Sequence, residues 1–481
     1  MSMLQQPARG FWLSPMFVLL LLFGSQVLAN GDGTVTFGNG RAIDADAYRA
    51  EFVYSADLDG DGDLDIVMNS YWGDFVRWYE NEDGRGTFSE AAVISMECDG
   101  PTRFAVGDLD DDGFLDIVVP CNLDEQVTWF RNLKGDAFSV GGNIDAASPD
   151  HVAVADVDGD GNLDVIFTSP DGQVGWFKNV DGGGTFDVGL DISTTLNYPT
   201  RLAVGDFTGD GHHDIVVASI FDRVQWFKNS DGVFSLGVEL EEQTPAAGAM
   251  DVATADFDGD GYMDIVSASF DGTPDSPYFP DGRLILFMND GAGSFETGTD
   301  IGLLDSARSV VAGDIDNDGD FDIVASDYSG GRIVWYENDG QGGFSAAIDV
   351  ALDVGVSRVI AADLDGDGDL DLVSTNRESA RVVWYENLLV QATPAPLLIA
   401  TPTTPSPVAA PIGGVAPTTA TPVPVSAPVE PGIGTGTDDG VDNGSDSSND
   451  SFITEIVVSV IAGLILASIL YAFKVCRGRS D

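Results

Sequence analysis

Seven times between Asp57 and Asp371 the chain repeats one nine-residue pattern, Asp-x-Asp-x-Asp-Gly-x-x-Asp, with a single substitution. The copies begin at Asp57, Asp108, Asp156, Asp206, Asp256, Asp314 and Asp363, so successive starts lie 51, 48, 50, 50, 58 and 49 residues apart. A unit of about fifty residues repeated this often marks a propeller or a solenoid.

The nonamer has the chemistry of a hard-cation cage. Carboxylates at positions 1, 3, 5 and 9 supply oxygen donors, the carbonyl of position 7 adds another, and Gly at position 6 lets the chain turn back over an ion. The first three sets are Asp57, Asp59, Asp61, Asp63 and Asp65; Asp108, Asp110, Asp112, Phe114 and Asp116; Asp156, Asp158, Asp160, Asn162 and Asp164. The next two are Asp206, Thr208, Asp210, His212 and Asp214; Asp256, Asp258, Asp260, Tyr262 and Asp264. The last two are Asp314, Asp316, Asp318, Asp320 and Asp322; Asp363, Asp365, Asp367, Asp369 and Asp371. Such a set suits Ca2+, up to seven ions in a structural role; neither Cys nor His recurs in it, which argues against zinc. An EF-hand would place Glu at position 12 and run into a helix, whereas here that position is Met68 and Asp65 leads into the strand-like Ile66-Val67-Met68. Plain hairpin turns favour Asp and Gly but do not need four spaced carboxylates seven times over. Thr208 replaces a ligand, so the fourth cage is expected to be the weakest.

Composition adds an exclusion. The formal net charge is −58, from 79 acidic and 21 basic side chains, and cage positions hold 27 of the acids. Nucleic acid is excluded as a partner, because its phosphates would be repelled. Without metal, the clustered carboxylates would repel one another and loosen the loops.

Each repeat carries four strand signals in constant register. The first precedes the loop and ends in a small residue, Ala56, Gly107, Ala155, Gly205, Ala255, Gly313 or Ala362, as strands converging on one axis require. The second follows the loop. The third ends in Trp-aromatic-x-Asn, from Trp78 to Asn81 through Trp384 to Asn387, with Leu286-Phe287-Met288-Asn289 in the fifth repeat. Its aromatics read as packing between blades and its Asn as turn chemistry. The fourth carries Phe after a Gly-rich turn: Phe88, Phe138, Phe186, Phe234, Phe295 or Phe344. The seventh repeat lacks this last piece, but Gly31 to Phe37 matches it, and Phe37 stands 20 residues before Asp57 as Phe88 does before Asp108. The expectation is a closed ring in which residues 30–48 complete the last blade and remove an exposed sheet edge. The fifth repeat alone has an insertion, within Asp271 to Gly282, on the face opposite the loops.

The flanks read differently. Residues 1–29 have the charge, short apolar core and Val27-Leu28-Ala29 ending of a signal peptide. Residues 391–452 change abruptly to Pro and Thr and then to an acidic Gly/Ser spacer, a disordered stalk with glycosylation acceptors at Asn443 and Asn449. Residues 453–473 are long and apolar enough for one transmembrane helix, and Lys474, Arg477 and Arg479 place the tail 474–481 in the cytoplasm. The expected product is a single-pass cell-surface protein with its N-terminus outside. In that oxidising setting Cys98 and Cys121, brought to one end of a hairpin in the second repeat, are expected to form a disulfide.

The cage, the strand after it and the Gly-Phe turns resemble the FG-GAP/VCBS repeats of integrin α-subunit propellers, over roughly Asn30 to Asn387. The resemblance implies an all-β, seven-bladed propeller of four-stranded blades with Ca2+ in hairpin loops on one face, bound by the seven sets above. The chain departs from integrins in bearing a cage in all seven repeats and in Phe473-Lys474-Val475, which is not Gly-Phe-Phe-Lys-Arg, so no integrin β partner is expected. The leading functional expectation is a calcium-stiffened adhesion or display module that docks a protein or glycan on the face opposite the cages. Tyr71, Trp72, Tyr198, Phe221, Phe270, Tyr278, Phe279 and Tyr328 fall in loops there and could stack on sugar rings. Arg103, His151, Arg201 and Arg358, each five residues before a cage, could ring an anionic group such as a uronate, or pair with nearby acids such as Asp251. The alternative is a polysaccharide lyase, since some lyases use related propellers. Against it, the three histidines are His151 and the cage residues His212 and His213, and no Ser/His/Asp or Cys/His set is visible.

Overall fold

The computed structural model describes residues 28–29, 33–187, 189–221, 223–237, 240, 248–270 and 282–391. The expected insertion, stalk, glycosylation acceptors and apolar segment 453–473 lie outside these residues, as does most of 1–29. No helix among the described residues is long and apolar enough to cross a membrane.

Seven four-stranded antiparallel sheets make a seven-bladed propeller. Blade 1 shows the plan: Phe52–Ala56 innermost, then Asp65–Ser70, Phe75–Tyr79 and, outermost, Ala92–Ser95. The acidic nonamer is the hairpin between the first two strands. In every blade the second strand is buried through at least its first six residues around an apolar centre, as Ile66-Val67-Met68 in Asp65–Ser70 and Ile323-Val324-Ala325 in Asp322–Asp327, because both of its faces meet a neighbouring blade. Each of the seven blade boundaries accordingly holds one hydrophobic cluster. The Trp of the third strand reaches across to the Phe of the next blade: Trp78 to Phe138 at 6.1 Å, Trp129 to Phe186 at 6.5 Å, Trp226 to Phe295 at 5.8 Å and Trp384 to Phe88 at 6.2 Å. These edge-on contacts make the aromatic pair the packing element between blades.

The small residues before the loops sit where the inner strands crowd. A Cβ on Gly205 would meet Met263 Sδ at 2.6 Å, and one on Gly313 would meet Leu370 at 2.9 Å.

The ring closes through the N-terminus. Blade 7 consists of Val356–Ala362, Asp371–Asn376 and Arg381–Tyr385, and its outer strand is Arg41–Asp44, paired through Arg41 to Trp384 and Ala42 to Val383. Phe37 itself forms an isolated bridge to Asn387, as Phe88 does to Asn81, and the outer strand starts four residues later in both places. In these two blades the Phe marks the exit of the turn, whereas Phe138 and Phe234 lie in the outer strand itself, as expected. A short extra sheet, Leu28–Ala29, Gly33–Val35 and Val390–Gln391, joins the two chain ends beside it.

Candidate functional site

The seven loops share one backbone. Position 6 has φ between +88° and +103° in every copy, yet a Cβ there would meet nothing within 4 Å. Backbone conformation, not space, therefore demands Gly. Position 4 is left-handed as well, and Asp111 and Asn317 replace Gly there at φ +55° and +57°, as short polar side chains can. The first Asp organises the turn: Asp57 accepts N–H groups from Gly60 at 2.8 Å and Gly62 at 3.1 Å, and Asp363 does the same for Gly366 and Gly368.

This turn gathers carboxylates. Asp57, Asp59 and Asp61 bring oxygens within 4.8 Å of one another, as do Asp108, Asp110 and Asp116, Asp156, Asp158 and Asp164, Asp256, Asp258 and Asp260, and Asp314, Asp316 and Asp318. At position 3, buried Oδ1 atoms of Asp110, Asp158, Asp316 and Asp365 have no hydrogen-bond partner among the described residues, and neither does Oδ1 of Asp369 in the last loop. An orphaned buried carboxylate oxygen is costly, and the same one recurring in four loops fits a bound cation. The all-oxygen donor set fits a hard divalent ion such as Ca2+. In blade 4 the third position is the Thr208 hydroxyl.

The ninth residue is tied into the blade framework. Asp65 accepts Leu58 N–H through one oxygen at 3.1 Å and Asn81 N–H through the other at 2.9 Å. The same pair of bonds recurs at Asp116, Asp164, Asp214, Asp264, Asp322 and Asp371. Burial raises these carboxyls, against the pull of their N–H donors: Asp65, Asp116, Asp164 and Asp214 to about 6, Asp264 and Asp371 to about 7, and Asp322 to about 8.

The Asn of Trp-aromatic-x-Asn links this site to the preceding blade. In five blades its Oδ1 accepts an N–H in the following turn, as from Gly135 to Asn132 at 2.8 Å, whereas Oδ1 of Asn179 and Asn387 has no partner among the described residues. Its Nδ2, however, donates to the loop of the preceding blade: Asn81 to Leu364 O at 2.8 Å, Asn132 to Leu58 O at 2.7 Å, Asn179 to Leu109 O at 2.8 Å and Asn229 to Val157 O at 2.7 Å. Asn289, Asn338 and Asn387 complete the circuit on Phe207, Phe257 and Ile315. Each acidic loop is thus hydrogen-bonded to its neighbour, which the reading of Asn as turn chemistry alone does not foresee.

The opposite face carries a cavity of about 290 Å³ at the mouth of the central channel. Of the residues singled out by sequence, Tyr71, Trp72, Tyr198, Arg103 and Arg201 line it. Trp72 is 56% exposed and lies edge-on to Tyr71 at 5.3 Å. Phe221 packs on Tyr198 at 5.7 Å, and Tyr328 lies under Arg308 at 4.7 Å; both stand beside the cavity rather than in it. His151 is buried, which holds it neutral with help from Arg201, Arg103 and Arg358, and its Nδ1 accepts Leu202 N–H at 3.1 Å. Arg103 pairs with Asp150, and Arg358 with Asp251, the pairing the sequence had offered as the alternative to a ligand. Phe270 is described by its backbone only, and Tyr278 and Phe279 lie outside the described residues.

Three lining residues escaped the sequence reading for one reason. The inner strands of blades 4 to 7 carry a β-bulge at Thr200, Met250, Arg308 and Ser357; in the last three the bulged residue lines the cavity, one residue earlier than the position counted back from the loop, while in blade 4 the counted residue, Arg201, does. A bulge inserts an extra residue and re-aims its side chain.

Cys98 and Cys121 form a disulfide, both nearly inaccessible, at the end of blade 2 away from the loops.

Comparison with known proteins agrees with this geometry. The FG-GAP-like repeat pattern matches residues 57–119, 156–217, 206–267, 270–325 and 314–374, more than half of the chain. No curated protein sequence matches. Among solved structures, BBS1N in complex with ARL6DN is similar at a TM-score of 0.50 with 11% identity, over 73% of this chain and 96% of that one. An Agrocybe aegerita lectin that recognises non-reducing terminal N-acetylglucosamine gives 0.46 with 21% identity over 63% and 81%. Saccharomyces cerevisiae Sqt1 gives 0.46 with 13% over 69% and 83%. Likeness at this level concerns the fold alone.

Proposed function

The chain belongs to the FG-GAP-like repeat family, and on that premise we propose a ligand-binding module displayed at the cell surface, a Ca2+-stiffened propeller that docks a glycan or protein on the face opposite its metal loops. The observation that carries the reading is the separation of the two faces. One is filled by seven loops whose carboxylates are tied into the blade framework, which suits a structural ion. The other opens a cavity with exposed aromatic rings and polar groups, the usual make-up of a binding site.

Supporting features lie along the rest of the chain. A buried disulfide suits an oxidising compartment, in which calcium modules with Kd of ~10⁻⁴–10⁻³ M stay loaded. Residues 1–29 serve as the export signal, 391–452 as the stalk, and 453–473 as the anchor that holds the module off the membrane.

The test is an array of glycans and cell-surface proteins probed with the full-length chain, with and without EDTA. Saturable binding that Trp72→Ala abolishes supports the reading; absence of any saturable ligand would refute it. Incubation with polyuronides, watched for unsaturated products, separates a binder from a lyase.

A further inference from the structure

The channel mouth is unusual in its charge. In a chain of formal charge −58, the cavity is lined by four guanidinium groups, those of Arg103, Arg201, Arg308 and Arg377. Arg103 is matched by Asp150 and Arg377 by Glu51 at 3.4 Å. Arg201 has no acid of its own: it shares Asp251 with Arg358, and Asp251 also accepts N–H groups from Val310 and Val252 at 3.1 Å each. Arg201 is 5% exposed, its Nε stands 3.6 Å from Asp251, and that atom has no hydrogen-bond partner. Arg308 has no carboxylate within 4 Å among the described residues and rests on the Tyr328 ring. Among the described residues five guanidinium groups, Arg358 included, thus face three carboxylates, Asp150, Glu51 and Asp251, an excess of two positive charges at the mouth of an acidic protein. Arg201 has only that shared acid and the Phe52 ring, 5.0 Å away, against the cost of its burial, so an anion at the mouth would complete its pairing.

We propose that this mouth holds an acidic sugar, one ring at the end of a glycan bearing a carboxylate or sulfate. Arg308 and Arg201 meet the anionic group, and Trp72, Tyr71 and Tyr198 stand along the ring. Guanidinium suits both anions because its planar fork donates two parallel bonds. The aromatic rim selects a sugar ring over an acidic peptide, which would need no flat apolar wall. A cavity of about 290 Å³ admits one such unit and not a long segment. This inference rests on the reading of that face as the binding surface.

The full-length chain, calcium-loaded, is titrated calorimetrically with methyl glucuronide, glucose 6-sulfate, methyl glucoside and short polyglutamate. The acidic sugars are expected to bind about tenfold or more tighter than methyl glucoside, less so as salt is raised. Arg308→Gln should erase that preference and Arg308→Lys should recover part of it, with the melting temperature unchanged in both. Equal binding of the neutral glycoside, a preference that survives Arg308→Gln, or Arg308-dependent binding of polyglutamate alone would overturn the inference. A neutral ligand lost on Trp72→Ala would overturn it while leaving the binding face in place. No binding in any arm, together with a blank array, would remove both.

Discussion

Blades 2, 3 and 4 carry a cation of their own in the acidic loop, whereas blades 6, 7 and 1 carry a further acid. The difference lies in the x of Trp-aromatic-x-Asn, which aims at the loop. In the first arc Arg131 pairs with Asp110 at 2.6 Å and Asp112 at 3.0 Å, Lys178 with Asp158 and Asp160, and Lys228 with Asp210 at 2.8 Å and with the Thr208 hydroxyl at 3.2 Å. In the second arc the residue is Glu337, Glu386 or Glu80. After burial, Asp318 and Glu337 contribute to pushing Asp316 up to about 6, and Asp367 and Glu386 raise Asp365. Glu80 is itself raised, by burial and then by Asp59, Glu82 and Asp61. Blade 5, with Met288, stands between the two. The second arc contains the seam where the N-terminal strand completes the ring, and Arg41 from that strand answers Glu386 at 2.6 Å. One repeat unit thus produces two electrostatic situations, and the arc that contains the non-covalent closure of blade 7 is the one whose loops would gain most from a bound cation.

The comparison can be broken most directly by removing metal. Chelation is expected to lower the melting temperature sharply, with hydrogen exchange rising first in blades 6, 7 and 1; uniform loosening of all seven blades would contradict it. Next in size is Phe37→Asp, which loses packing at the seam and places a charge there, a cost of about 2–4 kcal/mol. The same change at Phe186, where the outer strand is covalently continuous with its blade, should destabilise without exposing chain ends to protease.

The Asn clasp sharpens the contrast. Asn81→Ala leaves a buried carbonyl and the Gly86 N–H unpaired, and Asn179→Ala a buried carbonyl without a turn N–H, at about 1–3 kcal/mol each and the larger for Asn81, measured by denaturant unfolding. The seam variant should also weaken calcium binding in its neighbour, blade 7. Smaller again are the x residues. Lys178→Gln should tighten calcium at its loop by about tenfold, and Glu337→Gln should weaken it about as much, because one unit charge is changed beside a divalent ion. Equilibrium dialysis or calorimetry resolving two classes of site in the parent chain is the check. Smallest is a pH effect on metal-free protein. The ninth-position carboxyls titrate higher in the folded state than in the unfolded chain, so their protonated form favours folding. That contribution is present at low pH and lost as pH rises through about 6 to 8. The metal-free propeller should therefore melt lower at pH 8 than at pH 5, and calcium should narrow or reverse the difference.

Much of the ring was legible from spacing alone. The nonamer declared the loop, the small residue before it declared the inner strand, and Phe37 at the same distance from Asp57 as Phe88 from Asp108 declared how the ring closes. What escaped was written in backbone rather than side chains. Asn81 was visible, but its partner is the carbonyl of Leu364, 283 residues away, and a carbonyl has no residue-type signature. Arg308 escaped because counting back from the loop assumes an unbroken strand, and a bulge shifts the count by one.

The linear order of residues determined the number of blades, the donor set of each loop and the means of closure, because each rests on spacing within one repeat or on comparing one repeat with the next. Which charges stand alone at the channel mouth, and which loops own a tethered cation, was decided only when seven blades met around an axis. Such neighbours are set by long-range packing, and a Coulomb balance at 4 Å depends on where side chains end rather than on where they are attached.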